Sequence, residues 1–286
     1  MKRFEHIVIA SDLDGTLLAL NEEGDARNRE RIRYFIENGG RFTIASGRIP
    51  HQIEGRIPYP PELCNLPAVT GNGTCLYDFA SSRVLEEQRM PYQTVCRIFD
   101  YLENYFPDVA GRASTPEGLF AVDDSNPYIR SDRERMGEIV SFRPLSEWEA
   151  VGVYKLALRG DADRIAALWE MMKRDFADDL EMAPSGITLL DVQPKGSTKA
   201  SLLRDMVNRY VPHPVVLCTV GDFYNDVDMH RVADLPVCPA NAVDAVKEVC
   251  TLHLCRCREG VIGDLVDYLD THDVSHLAKQ RGAVYD

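Results

Sequence analysis

The stretch HIVIASDLDGTLLAL, from His6 to Leu20, decides the fold. Its apolar run Ile7–Ala10 predicts a strand that is buried on both faces, as in a parallel sheet. Asp12 and Asp14 follow this run, and Gly15 permits a sharp turn directly after them. Ligands bind at the carboxyl ends of strands in open parallel sheets, so we expect the two carboxylates to belong to a functional site. Taken alone, the string is also compatible with a solvated loop that carries two acids.

The composition is that of a globular chain with a large core. It has 286 residues, of which 45% are hydrophobic and 27% charged, so one or two domains are expected. The formal net charge of −13 argues against nucleic acid or an anionic membrane surface as the main partner. No apolar stretch is long enough to span a bilayer, and the first apolar run breaks too early for a signal peptide.

The eight cysteines show no disulfide framework, so we expect reduced thiols and a cytoplasmic protein. The densest group, Cys250, His253, Cys255 and Cys257, also admits a zinc site. However, strand alternation would point Cys255 and Cys257 to one face and Cys250 to the other, and the sequence has no CxxC pair. We therefore favour core or edge-strand cysteines over zinc ligands.

Strand-like and helix-like segments alternate in residues 1–89 and 189–286. The first helix follows Leu20, with Asp25 as its expected N-cap and Gly39-Gly40 at its end. Such alternation predicts an α/β fold with a doubly wound, Rossmann-like parallel sheet. Further predicted strands are 41–45, 67–70, 214–220, 235–240 and 250–255, with helices at 197–210, 225–233, 244–249 and 260–270 and a hairpin at 75–88.

The middle of the chain, residues 90–188, has a different texture and predicts a separate, inserted α+β module. It contains two amphipathic helical patterns, at 94–106 and 161–176, and several strand-like segments, the last at 181–192. Residues 125–138 are polar and charged, without an assigned element. Trp148 and Trp169 are expected in the core of this module, not in a substrate platform.

Polar groups stand at four strand ends or loops that would be neighbours in one sheet. Carboxylates brought together there repel one another, and Mg²⁺ is the favoured remedy because all the ligands are hard oxygens. A hydroxyl, glycine amides and a lysine nearby suit a phosphate group. The groups are Asp12 with Asp14; Ser46-Gly47-Arg48; Lys199; and Asp222 with Asn225 and Asp226.

Four short motifs in this order resemble those of the haloacid dehalogenase superfamily. They are DLDGT at 12–16, SGR at 46–48, PKGSTKA at 194–200 and GDFYND at 221–226. The NGT at 72–74, the run from Ala240 and REGV at 258–261 are similar to features of its Cof-type, subclass IIB branch. The insertion between the second and third motifs resembles the cap of that branch, so the resemblance implies a phosphatase with a mobile cap.

The resemblance also implies the role of each residue. Asp12 would attack phosphorus to give an aspartyl-phosphate, and Asp14 would act as general acid and then general base. Mg²⁺ would be held by the Asp12 carboxylate, the Asp14 backbone carbonyl and Asp222, with Asp226 also at the metal.

The phosphoryl oxygens would be bound by Ser46, the Gly47 amide and Lys199, with Arg48 and Asn225 also assigned to phosphate or substrate. Arg48 could instead pair with an acid. Asn225 and Asp226 would orient Lys199 and the waters of the metal. Other candidates have a plainer interpretation as surface residues: His51, Lys195 and Asp228.

Three departures from the family pattern bear on specificity or assembly and not on the carriers of the chemistry. Phe223 replaces a small residue, His230 replaces an apolar one, and CRCREG at 255–260 replaces a more acidic stretch. The expected function is a Mg²⁺-dependent phosphatase for a small phosphorylated metabolite, by default a sugar phosphate. A phosphomutase and a non-catalytic metabolite-sensing protein are the alternatives. The expected assembly is a monomer or a homodimer.

Overall fold

The computed structural model describes residues 2–54, 63–136, 140–212 and 214–278. Its strands, in chain order, are β1 Ile7–Ser11, β2 Arg41–Ile44, β3 Ala68–Thr70, β4 Cys75–Asp78, β5 Arg83–Glu87, β6 Ala110–Thr115, β7 Gly118–Ala121, β8 Val140–Phe142, β9 Lys155–Arg159, β10 Leu180–Gly186, β11 Leu189–Pro194, β12 Val216–Val220, β13 Leu235–Pro239 and β14 Leu252–Leu254.

The α-helices are α1 Glu22–Glu37, α2 Pro50–Ile53, α3 Tyr92–Tyr105, α4 Pro127–Met136, α5 Trp148–Val151, α6 Ala162–Asp175, α7 Lys199–Tyr210, α8 Val227–Arg231, α9 Asp244–Lys247 and α10 Val261–Thr271. Among the described residues, none of these helices has the length and apolar character needed to cross a lipid bilayer.

Contacts divide the chain into two compact units. The first unit comprises 1–46, 57–85 and 198–286, and the second comprises 47–56 and 86–197. The predicted insertion, 90–188, lies within the second unit, which begins earlier, at Glu86, and ends later, at Ser197. The second unit ends later than predicted because β11 pairs with β9 and β10. The predicted boundary after residue 188 therefore falls inside the β10–β11 hairpin.

The first unit is built on a five-stranded parallel sheet in the order β14-β13-β12-β1-β2. Every residue of β1 and β12 is buried, as expected for central strands of a parallel sheet. Ser11 pairs with Val220, so β1 and β12 end at the same edge of the sheet. The predicted doubly wound α/β fold is confirmed.

Helix α1 begins earlier than the sequence indicated. The expected N-cap, Asp25, lies within the first turn and accepts a hydrogen bond from the Ala19 amide at 2.9 Å. The N-cap is Asn21, whose side chain accepts from the Gly24 amide at 2.9 Å. Both residue types favour helix N-termini, and the backbone conformation at Asn21 decides between them.

The second unit carries a six-stranded sheet in the order β10-β11-β9-β6-β7-β8. Helices α3 and α6 supply apolar side chains to its core, which includes the fully buried Trp148, and Trp169 packs against that core. The module contains more helix than expected, since α4 lies in the polar segment 125–138. The segment has too few apolar residues to show a helical pattern in the sequence, although Ile129 is buried.

Candidate active site

Asp12 directly follows β1, an interior strand of the parallel sheet. Its amide donates to the Val220 carbonyl at 2.8 Å, which fixes the carboxylate beside the end of β12. The side chain is 6% exposed. Burial raises the pKa of Asp12 well above its usual range, Lys199 opposes this, and the neighbouring carboxylates add to it.

Lys199 supplies the buried positive charge of the site. It is the first residue of α7, and the Thr198 side chain caps that helix by accepting from the Ser201 amide at 3.0 Å. Its Nζ lies 2.6 Å from Asp12 Oδ1 and 2.7 Å from Asp226 Oδ1. Burial lowers the pKa of Lys199, but the two carboxylates outweigh this effect and raise it. The ammonium is therefore kept charged between two acids.

Asp226 fastens the loop after β12. Its Oδ2 accepts from the amides of Asp222 at 3.0 Å and Phe223 at 3.1 Å, while its Oδ1 binds Lys199. A Cβ at Gly221 would lie 2.5 Å from Asp226 Cγ, so glycine is required at that position. The GDFYND motif thus folds around its own last carboxylate.

Asp222 is held at the same edge by the first motif. Thr16 Oγ1 donates to Asp222 Oδ1 at 3.0 Å. Gly15 adopts φ +80°, and a Cβ there would lie 2.5 Å from Asp222 Oδ2. Burial raises the pKa of Asp222 to about 7, with a further contribution from Asp226.

The carboxylates of Asp12, Asp222 and Asp226 each place an oxygen within 4.8 Å of the others. Three acids share the site with one ammonium, so the cluster has an excess of negative charge. Hard oxygen ligands in such a cluster fit Mg²⁺. Within the described ranges, no cysteine–histidine group lies close enough to hold a metal, and the eight cysteines are free thiols.

The side chain of Asp14 is exposed and is not one of the three carboxylates that lie within 4.8 Å of one another. It lies two residues beyond Asp12, on the turn that Gly15 completes. An exposed carboxyl at this position can exchange protons with an incoming group or with water. Its assigned roles as acid/base and as a carbonyl ligand of the metal stay predictions.

Ser46 is buried at the end of β2, where its amide donates to the Val69 carbonyl at 2.8 Å. Its carbonyl accepts from the Asn72 amide at 3.0 Å. Gly47 and Arg48 follow it in the chain and are grouped with the second unit. Their assignment to phosphate or substrate binding stays a prediction, as does that of Ser46.

Asn225 contacts Asn72, a residue of the accessory NGT motif at 72–74. Its Nδ2 donates to Asn72 Oδ1 at 3.2 Å, whereas Lys199 is oriented by Asp226. Asn72 has φ +59° between Gly71 and Gly73, a conformation that asparagine tolerates. In the sequence, the string GNG at 71–73 indicates a turn of this kind.

Two further supports were missed by the sequence reasoning. Thr16, which orients Asp222, is the last residue of the first motif and has no assigned role there. Asn241 donates from Nδ2 to the Gly15 carbonyl at 3.0 Å and accepts from the Cys257 amide at 2.8 Å. A lone asparagine in a loop gives no signal of such a long-range contact.

The structure also gives the contacts and exposure of the residues that depart from the family pattern and of the surface candidates. His230 is buried, with Nδ1 2.9 Å from Thr219 Oγ1, and burial lowers its pKa. The Phe223 ring packs edge-on against Tyr224. Lys195 is exposed and pairs with Glu181 at 3.3 Å, which agrees with its plainer interpretation. The exposed Asp228 and His51 likewise agree with theirs.

Comparison with known proteins points to one family. The profile of the haloacid dehalogenase-like hydrolases matches residues 9–261. The 5-amino-6-(5-phospho-D-ribitylamino)uracil phosphatase of Bacillus subtilis is 26% identical over 266 residues, covering 85% of this chain and 91% of the relative. The pyridoxal phosphate phosphatase of Escherichia coli is 26% identical over 258 residues, covering 84% of this chain and 90% of the relative.

A solved structure shares the fold over nearly the full length. The subclass IIB sugar phosphatase BT4131 superimposes with a TM-score of 0.79, covering 92% of this chain and 98% of the other. The two sequences are 16% identical, so this likeness concerns the fold alone.

Proposed function

Since the chain belongs to the haloacid dehalogenase-like hydrolase family and is one of its phosphatases, we propose that it hydrolyses a small sugar or polyol phosphate with Mg²⁺ through an aspartyl-phosphate. The observation that carries this proposal is the buried cluster in which Lys199 Nζ lies 2.6 Å from Asp12 and 2.7 Å from Asp226, beside Asp222. Lys199 thereby fixes the position of Asp12 Oδ1 directly after β1.

The first half-reaction transfers the phosphoryl group to the chain. Lys199 holds Asp12 Oδ1, so we assign the attack on phosphorus to Oδ2. The bond from phosphorus to the ester oxygen breaks as the new bond forms, and Asp14 gives its proton to the leaving oxygen. The Lys199 ammonium stabilises the negative charge of the transferred group.

The second half-reaction returns the chain to its first state. Asp14, now a carboxylate, takes a proton from water, whose oxygen attacks phosphorus and releases inorganic phosphate and the Asp12 carboxylate. Asp12, Asp222 and Asp226 would hold Mg²⁺, which supplies positive charge to the phosphoryl oxygens. Asp226 keeps Lys199 in position during both steps.

We also propose a compartment and a substrate size. Eight free thiols without a disulfide are compatible with a reducing compartment, and we propose the cytoplasm. The relatives named above act on a ribityl phosphate and on pyridoxal phosphate, both small metabolites, which supports a substrate of that size. A monomer or a homodimer stays the predicted assembly.

The test is phosphate release from a panel of phosphorylated metabolites, with Mg²⁺ and with a chelator. We expect metal-dependent release by the natural chain and none by Asp12→Asn, which keeps its shape but is a poor nucleophile. Asp14→Asn should retain phosphoryl transfer to good leaving groups and accumulate a phospho-enzyme visible by intact mass. Turnover by Asp12→Asn, or isomerised phosphate esters in place of inorganic phosphate, would overturn the proposal.

A further inference from the structure

A cleft opens in the second unit, at one end of its six-stranded sheet. It has a volume of about 1020 Å³ and lies between the C-terminal half of α3, the start of β6 and the chain that follows β7. All its lining residues belong to the second unit, so the cleft is complete within that unit. Clefts that bind small organic molecules commonly have volumes of about 300–1,000 Å³, so its size suits a ligand of that kind.

Part of the cleft wall is apolar. A Cβ at Gly111 would lie 2.7 Å from Phe99 Cζ, so the glycine lets the Phe99 ring lie against the start of β6. Val122 lines the cleft and is still 42% exposed. An occupant with hydrocarbon groups would remove such apolar area from water. The apolar side chains of the wall are those of Phe99, Leu102, Val109, Val122, Ile129 and Leu145.

The cleft also has an excess of negative charge. Within the described part of the chain, its lining contains five acids and no Lys, Arg or His; the acids are Asp100, Glu103, Asp108, Asp123 and Asp161. Arg164, which lies outside the lining, pairs with Asp108 at 2.7 Å. Asp161 and Asp123 accept hydrogen bonds from neutral donors, the Tyr128 hydroxyl at 2.6 Å and the Ser125 amide at 2.8 Å. Their charges therefore stay uncompensated.

Asp100 and Glu103 have an unfavourable electrostatic setting. They are three residues apart on α3, so the two carboxylates are neighbours on one side of the helix and repel each other. They lie in its C-terminal half, where the helix dipole is also negative, and the last turn contains no basic residue. Among the described residues, neither carboxylate has a hydrogen bond or an ion pair. A bound cation would relieve this repulsion.

We propose that this cleft binds an aliphatic diamine or polyamine. The ammonium groups would pair with the acids of the lining, and the methylene groups would cover the apolar wall. An inorganic cation would leave the apolar wall in water, and an uncharged alkyl chain would leave the acids unmatched. The inference goes beyond the proposed phosphatase function and does not depend on it, since every residue that carries it lies in the second unit.

The test is calorimetric titration of the full chain with 1,8-diaminooctane, spermidine and 1,8-octanediol, in saturating Mg²⁺ so that the acids of the first unit are occupied. Both amines should bind one per chain with a Kd below about 1 mM. The diol, which has the length of the diamine but no charge, should bind at least about tenfold more weakly. Raising the ionic strength from about 0.02 to about 0.3 M should weaken amine binding several-fold. Equal affinity for diamine and diol would overturn the proposal.

Matched double variants show whether these acids hold the amine. Asp100→Asn with Glu103→Gln should raise the Kd for 1,8-diaminooctane about tenfold, because two ion pairs are lost. The control, Glu170→Gln with Asp178→Asn, removes the same charge from exposed acids outside the lining. It should keep the Kd within about twofold. Equal losses in both double variants would show that only the net charge attracts the amine, which would overturn the site.

Tryptophan fluorescence locates the bound amine. The ring of Phe99, which lines the cleft, lies 5.3 Å from that of Trp148, so 1,8-diaminooctane should change the emission with the calorimetric Kd. Calorimetric binding without any change in emission would place the amine elsewhere and overturn the proposal. Without ligand, the Asp100→Asn/Glu103→Gln variant should keep or raise the thermal midpoint, since a like-charge contact is removed. A lowered midpoint would contradict the electrostatic argument.

Two further outcomes would assign the cleft to another occupant. Stoichiometric displacement of the diamine by Ca²⁺ would make it a metal-ion site. A change in sedimentation coefficient on Asp100→Asn/Glu103→Gln substitution, measured without amine, would assign it to contact with a second copy of the chain. Either result would overturn the amine site, and the phosphatase assay would be unaffected by it.

Discussion

The side chain of Lys199 holds together carboxylates that would otherwise repel one another. It is buried between Asp12 and Asp226, and all three charges are nearly inaccessible to solvent. A buried ion pair adds little over an apolar alternative, but removal of one partner leaves the others uncompensated. The stability of the first unit should therefore depend on this single ammonium.

Lys199→Met tests this dependence. At pH 8 and without Mg²⁺, the free energy of unfolding should fall by about 3 kcal/mol, the loss typical of a broken buried pair. The loss should be smaller at pH 5, where the buried acids can take up protons. Urea unfolding at both pH values measures it. The matched control is Lys195→Met, an exposed lysine whose removal should cost under about 0.5 kcal/mol; equal losses for both variants would contradict the prediction.

Asp222 should make Mg²⁺ binding depend on pH. Its pKa is raised from 3.8 to about 7 in the metal-free chain, mainly by burial. Between these values the folded chain holds a proton that the unfolded chain has lost, so this contribution to stability is present at low pH and disappears as pH rises through 7. Below pH 7, Mg²⁺ must displace the proton on Asp222 in order to bind there. Above pH 7, Mg²⁺ binds a carboxylate that is already deprotonated.

We therefore expect the Mg²⁺ dissociation constant to rise about tenfold for each pH unit below 7 and to level off above it. Calorimetric titration at pH 5.5, 6.5 and 7.5 measures this. Asp222→Asn should bind weakly with a flatter profile. Asp228→Asn, which alters an exposed acid on α8, should match the natural chain. A pH-independent affinity in the natural chain would rule out Asp222 as the titrating ligand.

At the scale of elements, the start of α7 couples helix formation to the site. Thr198 caps the helix, and Lys199 is its first residue, so the cap also fixes where the lysine leaves the backbone. The Thr198 amide in turn donates a hydrogen bond to Ser201 Oγ at 3.1 Å. The S-T-K-A-S string thus specifies both the start of α7 and the position of Lys199.

Thr198→Ala should lower the free energy of unfolding by about 1 kcal/mol, the usual loss for a removed N-cap. It should also lower kcat more than it raises KM, because Lys199 loses its anchored position. Thr198→Ser keeps the capping oxygen and should restore both quantities. Chemical denaturation with steady-state kinetics checks the pair. An alanine variant with natural stability and kcat would show that the cap does not position the lysine.

At the scale of the whole molecule, each of the two units has hydrophobic clusters of its own among the described residues. Val8, Leu203 and Leu217 belong to a cluster of the first unit, and Trp148 and Leu156 belong to a cluster of the second. All the carboxylates of the candidate metal site lie in the first unit. Multidomain chains often unfold in more than one step, so a ligand of one unit need not stabilise both equally.

Tryptophan fluorescence offers a way to observe the second unit by itself, since both tryptophans, Trp148 and Trp169, lie there. Saturating Mg²⁺ should raise the urea midpoint seen by far-UV circular dichroism. The fluorescence midpoint should move by less. Denaturation monitored by both probes in one sample provides the comparison, with Asp222→Asn as the control that should show a smaller shift at the same Mg²⁺ concentration. Coincident, equally shifted transitions would indicate one cooperative unit.

Much of this protein could be predicted from its sequence because the signals are local. A buried apolar run that ends in DLDGT is enough to place Asp12 at a strand end, and alternating strands and helices specify the parallel sheet. The hairpin predicted at 75–88 is likewise present, as β4 and β5. The hydropathy period and the turn residues depend only on amino acids close together in the chain, so they can be recognised without knowledge of the fold.

Only the tertiary structure decided what depends on distant partners. It chose Asn21 over Asp25 as the cap of α1, paired β11 with the second unit, and brought Asn72 to Asn225. It also placed Ser114, Lys155 and Gln193 side by side across β6, β9 and β11. These outcomes rest on long-range packing and burial, whose energies depend on residues far apart in the chain. No local pattern records them, because the same local sequence is compatible with several partners until the sheet is assembled.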